Sequence, residues 1–122
     1  MNKAYGACHC GMCRKWGGGP FLAVDCGQEV NISGEENVTT YASSEWAERA
    51  FCKHCGSNLY YRVVETGEHY VCAGLLDETD GLVLEGQIFI DEKPAFYDFA
   101  NETKNMTGAE VFAAFAPPPK DG

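Results

Sequence analysis

The stretch ACHCGMCRKWGGGPF, residues 7–21, contains three cysteines within six residues: Cys8, Cys10 and Cys13. Residues two apart in an extended strand point to the same face, so Cys8 and Cys10 share a face and His9 points the other way. We therefore expect His9 to form a hydrogen bond or to be exposed, and not to bind a metal. Three thiolates are one ligand short of a closed zinc site, and three protein ligands with an open fourth position are typical of catalytic zinc.

A second cysteine pair lies in FCKHCGS, residues 51–57, where Cys52 and Cys55 are followed by Gly56. A Cys-x-x-Cys followed by glycine is typical of a zinc knuckle. The tight turn lets two thiolates converge on one ion, and glycine adopts a backbone conformation that other residues resist. The pair therefore predicts a metal-binding turn.

The two clusters allow two arrangements. In the first, Cys10 and Cys13 join Cys52 and Cys55 in one structural site of four thiolates, which leaves Cys8 without a role. In the second, Cys8 joins Cys10 and Cys13 around one catalytic ion, and the later pair needs other ligands. The spacing alone leaves both arrangements open, although only the second uses Cys8.

The cysteine count supports metal ligands over disulfides. The 122 residues include seven cysteines, five of them in the two clusters, with Cys26 and Cys72 isolated. No apolar run is long enough for a spanning helix, and the first ten residues lack the apolar stretch of a signal peptide. We therefore expect a cytoplasmic protein, where clustered thiols bind metals. Cys26 and Cys72 are expected to be small buried residues, and His54 and His69 to lie on the surface.

The net charge of −9 is unevenly distributed along the chain. Residues 1–62 contain six acidic and six basic side chains, whereas residues 63–122 contain twelve acidic and three basic side chains. An acidic chain does not collect nucleic acid or anionic membrane by general electrostatics, so neither is an expected partner. The cations of the cysteine-bearing half are the ones available to an anionic small ligand: Arg14, Lys15, Arg49, Lys53 and Arg62.

Most of the chain has the pattern of short strands. Runs rich in β-branched and aromatic residues alternate with glycine and acidic turns, which predicts an antiparallel sheet assembly. The predicted strands are PFLAVDC, VNIS, VTTYAS, SNLYYRVV, EHYVCAGLL and LVLEGQIFID. A short C-terminal helix is predicted over residues 107–115, because Thr107 and Glu110 have the spacing of a capping box. We expect one domain, 1–116, followed by a flexible tail, 117–122.

Three stretches together resemble a known family: CHCGMCRKWGGGPF, RAFCKHCGSNLYYR and EGQIFIDEKPAFYDFAN. They resemble the glutathione-dependent formaldehyde-activating enzyme family, which includes centromere protein V. The resemblance implies a mainly β, Mss-four-like fold of small antiparallel sheets around zinc. It also implies two zinc ions. Cys8, Cys10 and Cys13 match the catalytic site, and Cys52 and Cys55 match half of the structural site.

The activity implied by the resemblance is that of a carbon–sulfur lyase which joins glutathione, or another small thiol, to formaldehyde as S-(hydroxymethyl)glutathione. Arg14 and Lys15 are then placed to meet a substrate carboxylate, and Trp16 to form a wall of the pocket. The rival interpretation is a non-catalytic, zinc-stabilised binding module of the same fold. A redox-sensing thiol cluster is a weaker third interpretation.

The chain departs from the family pattern at its start. Members usually carry a Cys-x-Cys strand ahead of the three-cysteine motif, and that pair completes the structural site. Here Met1 lies seven residues before Cys8, and no such pair precedes it. We expect a missing N-terminal strand, with lower stability or a compensating homodimer as its consequence. The alternatives are ligands from Cys26, Cys72, His54 or water, the single four-thiolate site, or no second ion.

Overall fold

The structure, a computed structural model, describes residues 3–115, and most of its regular elements are strands. The strands are β1 Ala4–Cys8, β2 Phe21–Gly27, β3 Val38–Tyr41, β4 Ala47–Cys52, β5 Asn58–Val63, β6 His69–Cys72, β7 Val83–Ile88 and β8 Lys104–Met106. The helices are α1 Gly11–Gly17 and α2 Gly108–Phe115, and single 3-10 turns lie at Glu35–Asn37, Ala73–Leu75 and Ile90–Glu92. The predicted mainly β fold with a short C-terminal helix is confirmed.

The strands are hydrogen-bonded in the orders β3-β4-β5-β6-β2 and β1-β7-β8. Among the described residues, one compact unit comprises residues 3–5 and 22–82, and the other comprises 6–21 and 83–115. The single domain 1–116 stays a prediction, and the tail 117–122 lies outside the described residues.

The first unit is built on antiparallel pairing of sequential strands. β3 pairs with β4, β4 with β5, β5 with β6, and β6 with β2. Small side chains at Ala47 and Ala50 and the β-branched Val24 are fully buried in this unit. The Arg49 guanidinium, which is also buried, lies over the ring of Tyr61 at 5.0 Å from its centroid. This cation–π contact helps to accommodate a charge inside the sheet.

The second unit contains a parallel pair, β7 and β8, with Gly86 opposite Lys104. This differs from the antiparallel pairing expected for every strand. Parallel strands need a crossover connection, and residues 89–103 provide it without a long helix. A Cβ at Gly86 would lie 3.1 Å from the carbonyl oxygen of Lys104, so glycine permits this close pairing.

The predicted capping box of α2 is confirmed. The hydroxyl of Thr107 accepts from the backbone N–H of Glu110 at 3.2 Å, and the Glu110 carboxylate accepts from the N–H of Thr107 at 2.8 Å. The next N–H, of Gly108, donates to the Asp91 carboxylate at 2.8 Å. These bonds satisfy N–H groups that have no partner within the helix.

Several elements differ from the prediction, and neither β1 nor β4 is among the strands predicted above. VNIS is not a strand, because the chain turns at Ser33–Gly34 into the 3-10 helix Glu35–Asn37. α1 and β8 were not predicted, since both are short and neither shows an apolar period.

Within residues 3–115, no helix combines the length and apolar character needed to cross a membrane.

Candidate metal centre

The three cysteines of the opening stretch converge. The Sγ atoms of Cys8, Cys10 and Cys13 all lie within 4.8 Å of one another. Cys13 is buried, and the other two are half-buried. Three thiols at this separation suit a thiophilic ion such as zinc, which is bound by cysteine in structural and catalytic sites alike. The donor set therefore fits the metal that the spacing predicts.

The junction between β1 and α1 brings the thiols together. Cys8 ends the strand, and Cys10 is the N-cap of the helix, with extended φ and ψ of −63° and 155°. Its sulfur accepts from the backbone N–H of Cys13 at 3.4 Å. Residues three apart on a helix are neighbours, so one turn places Cys13 beside the cap. The helix ends at Gly18, whose left-handed φ of 84° suits glycine.

The thiols of this group are hydrogen-bonded to one another. Hydrogen bonds from Cys13 and Cys8 lower the pKa of the Cys10 thiol to about 2. The pKa of the Cys8 thiol is raised, because it donates to Cys10 and Cys13 and because it is buried. A bound cation favours the thiolate form of its cysteine ligands. Its charge then takes the place of the protons that these sulfurs share.

His9, between two of the thiols, is completely buried. Its Nδ1 lies 2.7 Å from the Tyr97 hydroxyl, and its Nε2 lies 2.7 Å from Oε1 of Gln87. Burial lowers the pKa of the His9 imidazole and favours the neutral ring. Because the carboxamide oxygen of Gln87 only accepts, Nε2 donates to it and Nδ1 accepts from Tyr97. Of the two predicted alternatives for His9, hydrogen bonding is confirmed and exposure is wrong.

The three residues predicted to bind substrate all lie on α1. The Nε of Arg14 donates to the carbonyl oxygen of His9 at 3.1 Å, which ties this half-buried side chain to the thiol turn. Lys15 is exposed and Trp16 is half-buried. Their contacts with a substrate stay predictions.

A polar cleft of about 670 Å³ lies in the same unit. Its lining residues are Gln87, Ile90, Lys93, Asp98, Phe99, Asn101, Glu102, Thr103 and Asn105. The Lys93 ammonium is 2.7 Å from the carboxylate of Asp98, and Gln87 also contacts His9. A cleft of this volume accommodates a small molecule. These residues are not among those predicted from the sequence, where the polar run NETKN after the aromatic segment is the signal that points to them.

The second cysteine pair occupies an exposed turn of the first unit. The N–H of Gly56, which has a φ of 80°, donates to the carbonyl oxygen of Cys52 at 2.8 Å. The Cys55 sulfur is exposed and lies 3.2 Å from the Ser57 hydroxyl, and this hydrogen bond lowers the pKa of the Cys55 thiol. Two thiols form an incomplete site, so the predicted second metal stays a prediction.

The remaining cysteines and histidines of the first unit do not form a metal-binding group of three or more among the described residues. Cys26 and Cys72 are half-buried, and burial raises the pKa of both thiols. His54 is exposed as predicted, with Nε2 2.8 Å from Oδ1 of Asn37. The surface position predicted for His69 is wrong, because it is buried against the Tyr60 ring, 4.9 Å between centroids.

The mainly β fold and the three-thiol group define a small protein with a cysteine cluster that could hold a metal ion. Residues 2–92 match the family described as glutathione-dependent formaldehyde-activating enzyme. A protein of Schizosaccharomyces pombe named as an uncharacterized lyase is 43% identical over 105 residues, which are 85% of this chain and 77% of that protein. The solved structure of a Rhodobacter sphaeroides protein is similar with a TM-score of 0.50 and 25% identity, over 60% of this chain and 68% of that one.

The chain therefore belongs to the glutathione-dependent formaldehyde-activating enzyme family, and the predicted resemblance is confirmed. The family and the name of the yeast relative both indicate a lyase.

Proposed function

We propose that this protein is a zinc-dependent carbon–sulfur lyase that adds the thiol of glutathione to formaldehyde and yields S-(hydroxymethyl)glutathione. One observation carries the proposal. The sulfurs of Cys8, Cys10 and Cys13 lie within 4.8 Å of one another in a chain whose family is described by this activity. Three cysteine ligands leave one position of a tetrahedral ion for a substrate.

The addition needs little beyond activation and orientation of the thiol. The thiol sulfur forms a bond to the carbonyl carbon, the π bond of formaldehyde opens, and its oxygen takes up the proton that the thiol loses. Nothing is oxidised or reduced. Zinc at the three thiolates would act as a Lewis acid that lowers the pKa of a thiol near its open position.

The protein residues hold and orient the partners. Cys8, Cys10 and Cys13 supply the ligands. The positive charges of Arg14 and Lys15, on the helix that carries Cys13, suit a carboxylate of glutathione. Trp16 provides an apolar wall nearby on the same helix.

The polar cleft suits the rest of a peptide thiol. Lys93 and Asp98 at its wall offer both signs of charge, as the zwitterionic end of glutathione requires. The cleft is joined to the thiol turn by Gln87, which lines the cleft and hydrogen-bonds to His9.

Three further features belong to the same proposal. Cys52 and Cys55 bind half of a second, structural zinc, and clustered free thiols support a cytoplasmic location, where the compartment is reducing. The proposal also includes a homodimer.

The proposal is tested by Cys8→Ser, with Cys26→Ser as a matched control, since Cys26 is a half-buried cysteine outside the three-thiol group. We expect Cys8→Ser to lose about one zinc per chain, because a hydroxyl is a poor zinc ligand, and to lose all glutathione-dependent acceleration. The control should keep both. Zinc is measured by elemental mass spectrometry, and adduct formation by exchange NMR with ¹³C-formaldehyde.

Two results contradict the proposal. If Cys8→Ser keeps its zinc and its acceleration, the three-thiol group is not the catalytic centre. If the parent protein binds zinc but does not accelerate adduct formation, the non-catalytic binding module is the better interpretation.

A further inference from the structure

His9 is engaged at every polar atom that it has. Its backbone N–H donates to the carbonyl oxygen of Ile88 at 3.1 Å, and its own carbonyl oxygen accepts from Arg14 Nε at 3.1 Å. The ring nitrogens bond to Tyr97 and Gln87, each at 2.7 Å. The residue between Cys8 and Cys10 is thus held by four hydrogen bonds with no exposed surface.

From Gln87 the hydrogen bonds continue to Thr103 and Asn105, and each group donates to the next. The Nε2 group of Gln87 donates to the Thr103 hydroxyl at 2.9 Å, and this hydroxyl donates to Oδ1 of Asn105 at 2.6 Å. Each member donates in the same direction, from Tyr97 through His9 to Asn105. This order selects the neutral His9 tautomer with hydrogen on Nε2, and it orients the ring.

Aromatic rings enclose the imidazole. The ring of Tyr97 is stacked on His9 with centroids 5.5 Å apart, and Phe99 lies at 6.1 Å. Tyr97 and Phe99 also contact each other edge to face, with centroids 6.2 Å apart. Rotation of the His9 ring therefore requires movement of two packed neighbours.

The other side of Cys10 is held as well. The backbone N–H of Gly11 donates to the Glu92 carboxylate at 2.8 Å. The residues on both sides of Cys10 are thus bound to the segment that follows β7, residues 88–97.

We propose that His9, held by Tyr97 and Gln87, is a positioning residue that sets the separation of the Cys8 and Cys10 thiols before the metal binds. This inference rests on the metal site of the proposed function. A flexible turn would have to be ordered when the ion binds, whereas a turn already held in place binds it more tightly. Partners around metal ligands contribute roughly 10–100-fold in affinity by the same effect.

The test measures binding of cobalt(II) to the full, metal-free chain. Cobalt reports thiolate ligation through its charge-transfer absorption, and competition with a chelator gives the dissociation constant. The variants are Tyr97→Phe, which removes one hydroxyl, Gln87→Leu, which removes the other ring partner, and His9→Phe, which removes both bonds. We expect roughly tenfold weaker binding for the first two variants and about 100-fold for the third, with altered absorption.

A matched control separates positioning from stability. Thr107→Ala removes the capping hydroxyl of α2 and should lower the free energy of unfolding without changing cobalt affinity. The unfolding of every metal-free variant is measured beside its affinity. If His9→Phe does not fold, Tyr97→Phe decides, because it keeps the stacked ring and loses only the hydroxyl.

The inference is overturned if cobalt affinity and spectrum are unchanged in the variants, or if affinity falls in proportion to stability in every variant, the Thr107→Ala control included. Absence of cobalt binding by the parent chain overturns it together with the metal site. Glutathione and formaldehyde take no part in this experiment. A chain that binds cobalt through the His9 network but does not form the adduct therefore keeps this inference and loses only the proposed reaction.

Discussion

Two turns of this protein share the spacing Cys-x-x-Cys but differ in what holds them. The turn of Cys10 and Cys13 is partly buried at the start of α1, and its neighbours are bound by partners 78 to 88 residues away in sequence. The turn of Cys52 and Cys55 is largely exposed, and its bonds run among residues 52–57 and to Asn37, no more than 17 residues away. The first Cys-x-x-Cys turn is therefore held in place by residues distant in sequence, whereas the second is held by residues near it in sequence.

This difference has a consequence for metal binding. A turn held by distant partners keeps its ligands in place without the ion, whereas a turn held by local bonds is ordered largely by the ion itself. We expect the first turn to tolerate local changes of backbone, and the second to be sensitive to them.

The largest expected effect comes from removing one sulfur from each turn. Cys13→Ser should lose the zinc of the three-thiol group, about one equivalent per chain, because it removes a buried ligand. Cys55→Ser should keep this zinc. Zinc content and zinc-edge absorption, which reports the number of sulfur ligands, are measured for both variants. Loss of the same ion from both would instead favour the arrangement in which Cys10, Cys13, Cys52 and Cys55 form one site.

An intermediate effect is expected for alkylation of the metal-free chain. Cys55 is exposed and has a lowered thiol pKa, whereas burial raises the pKa of Cys72. Because the thiolate reacts, Cys55 should be modified on the order of tenfold faster at pH 8. The difference should narrow as the pH rises above the ordinary thiol pKa and Cys72 also ionises. Peptide mass spectrometry after timed iodoacetamide treatment measures both rates, and equal rates at pH 8 would contradict the exposed setting of the second turn.

The smallest expected effect comes from the glycines that follow the two turns. Gly18 and Gly56 have φ of 84° and 80°, where alanine costs about 1 kcal/mol. Gly18→Ala and Gly56→Ala should each lower the free energy of unfolding by about this amount. Denaturant unfolding and cobalt titration of the three-thiol group are the measurements. Neither variant should weaken cobalt binding there, and a loss with Gly18→Ala would show that the first turn depends on its own helix cap.

Local features of the fold were predictable because neighbours in sequence decide them. The capping box of α2 depends on two residues three apart, and it was predicted. β5 follows from the run SNLYYRVV, in which β-forming residues lie after a turn. The helix α1 escaped prediction because seven residues that include two glycines carry no apolar period. Its formation depends on the packed setting of Cys13, since isolated helices of this length are marginal.

Longer-range features were not predictable from spacing. His69 was expected at the surface, but its position in β6, opposite Arg62 and against Tyr60, buries it. The parallel pairing of β7 with β8 depends on the path of residues 89–103, and no local pattern specifies that path.

The sequence alone is enough to single out Cys8, Cys10 and Cys13 as a candidate metal-binding group, because three cysteines within six residues stay close in space. What holds their sulfurs in place depends on the tertiary structure. The hydrogen bonds of His9 to Tyr97 and Gln87, and of Gly11 to Glu92, join segments about 80 residues apart in sequence. Such bonds form only after the chain has folded, since the polar partners of a buried group depend on which segments pack around it.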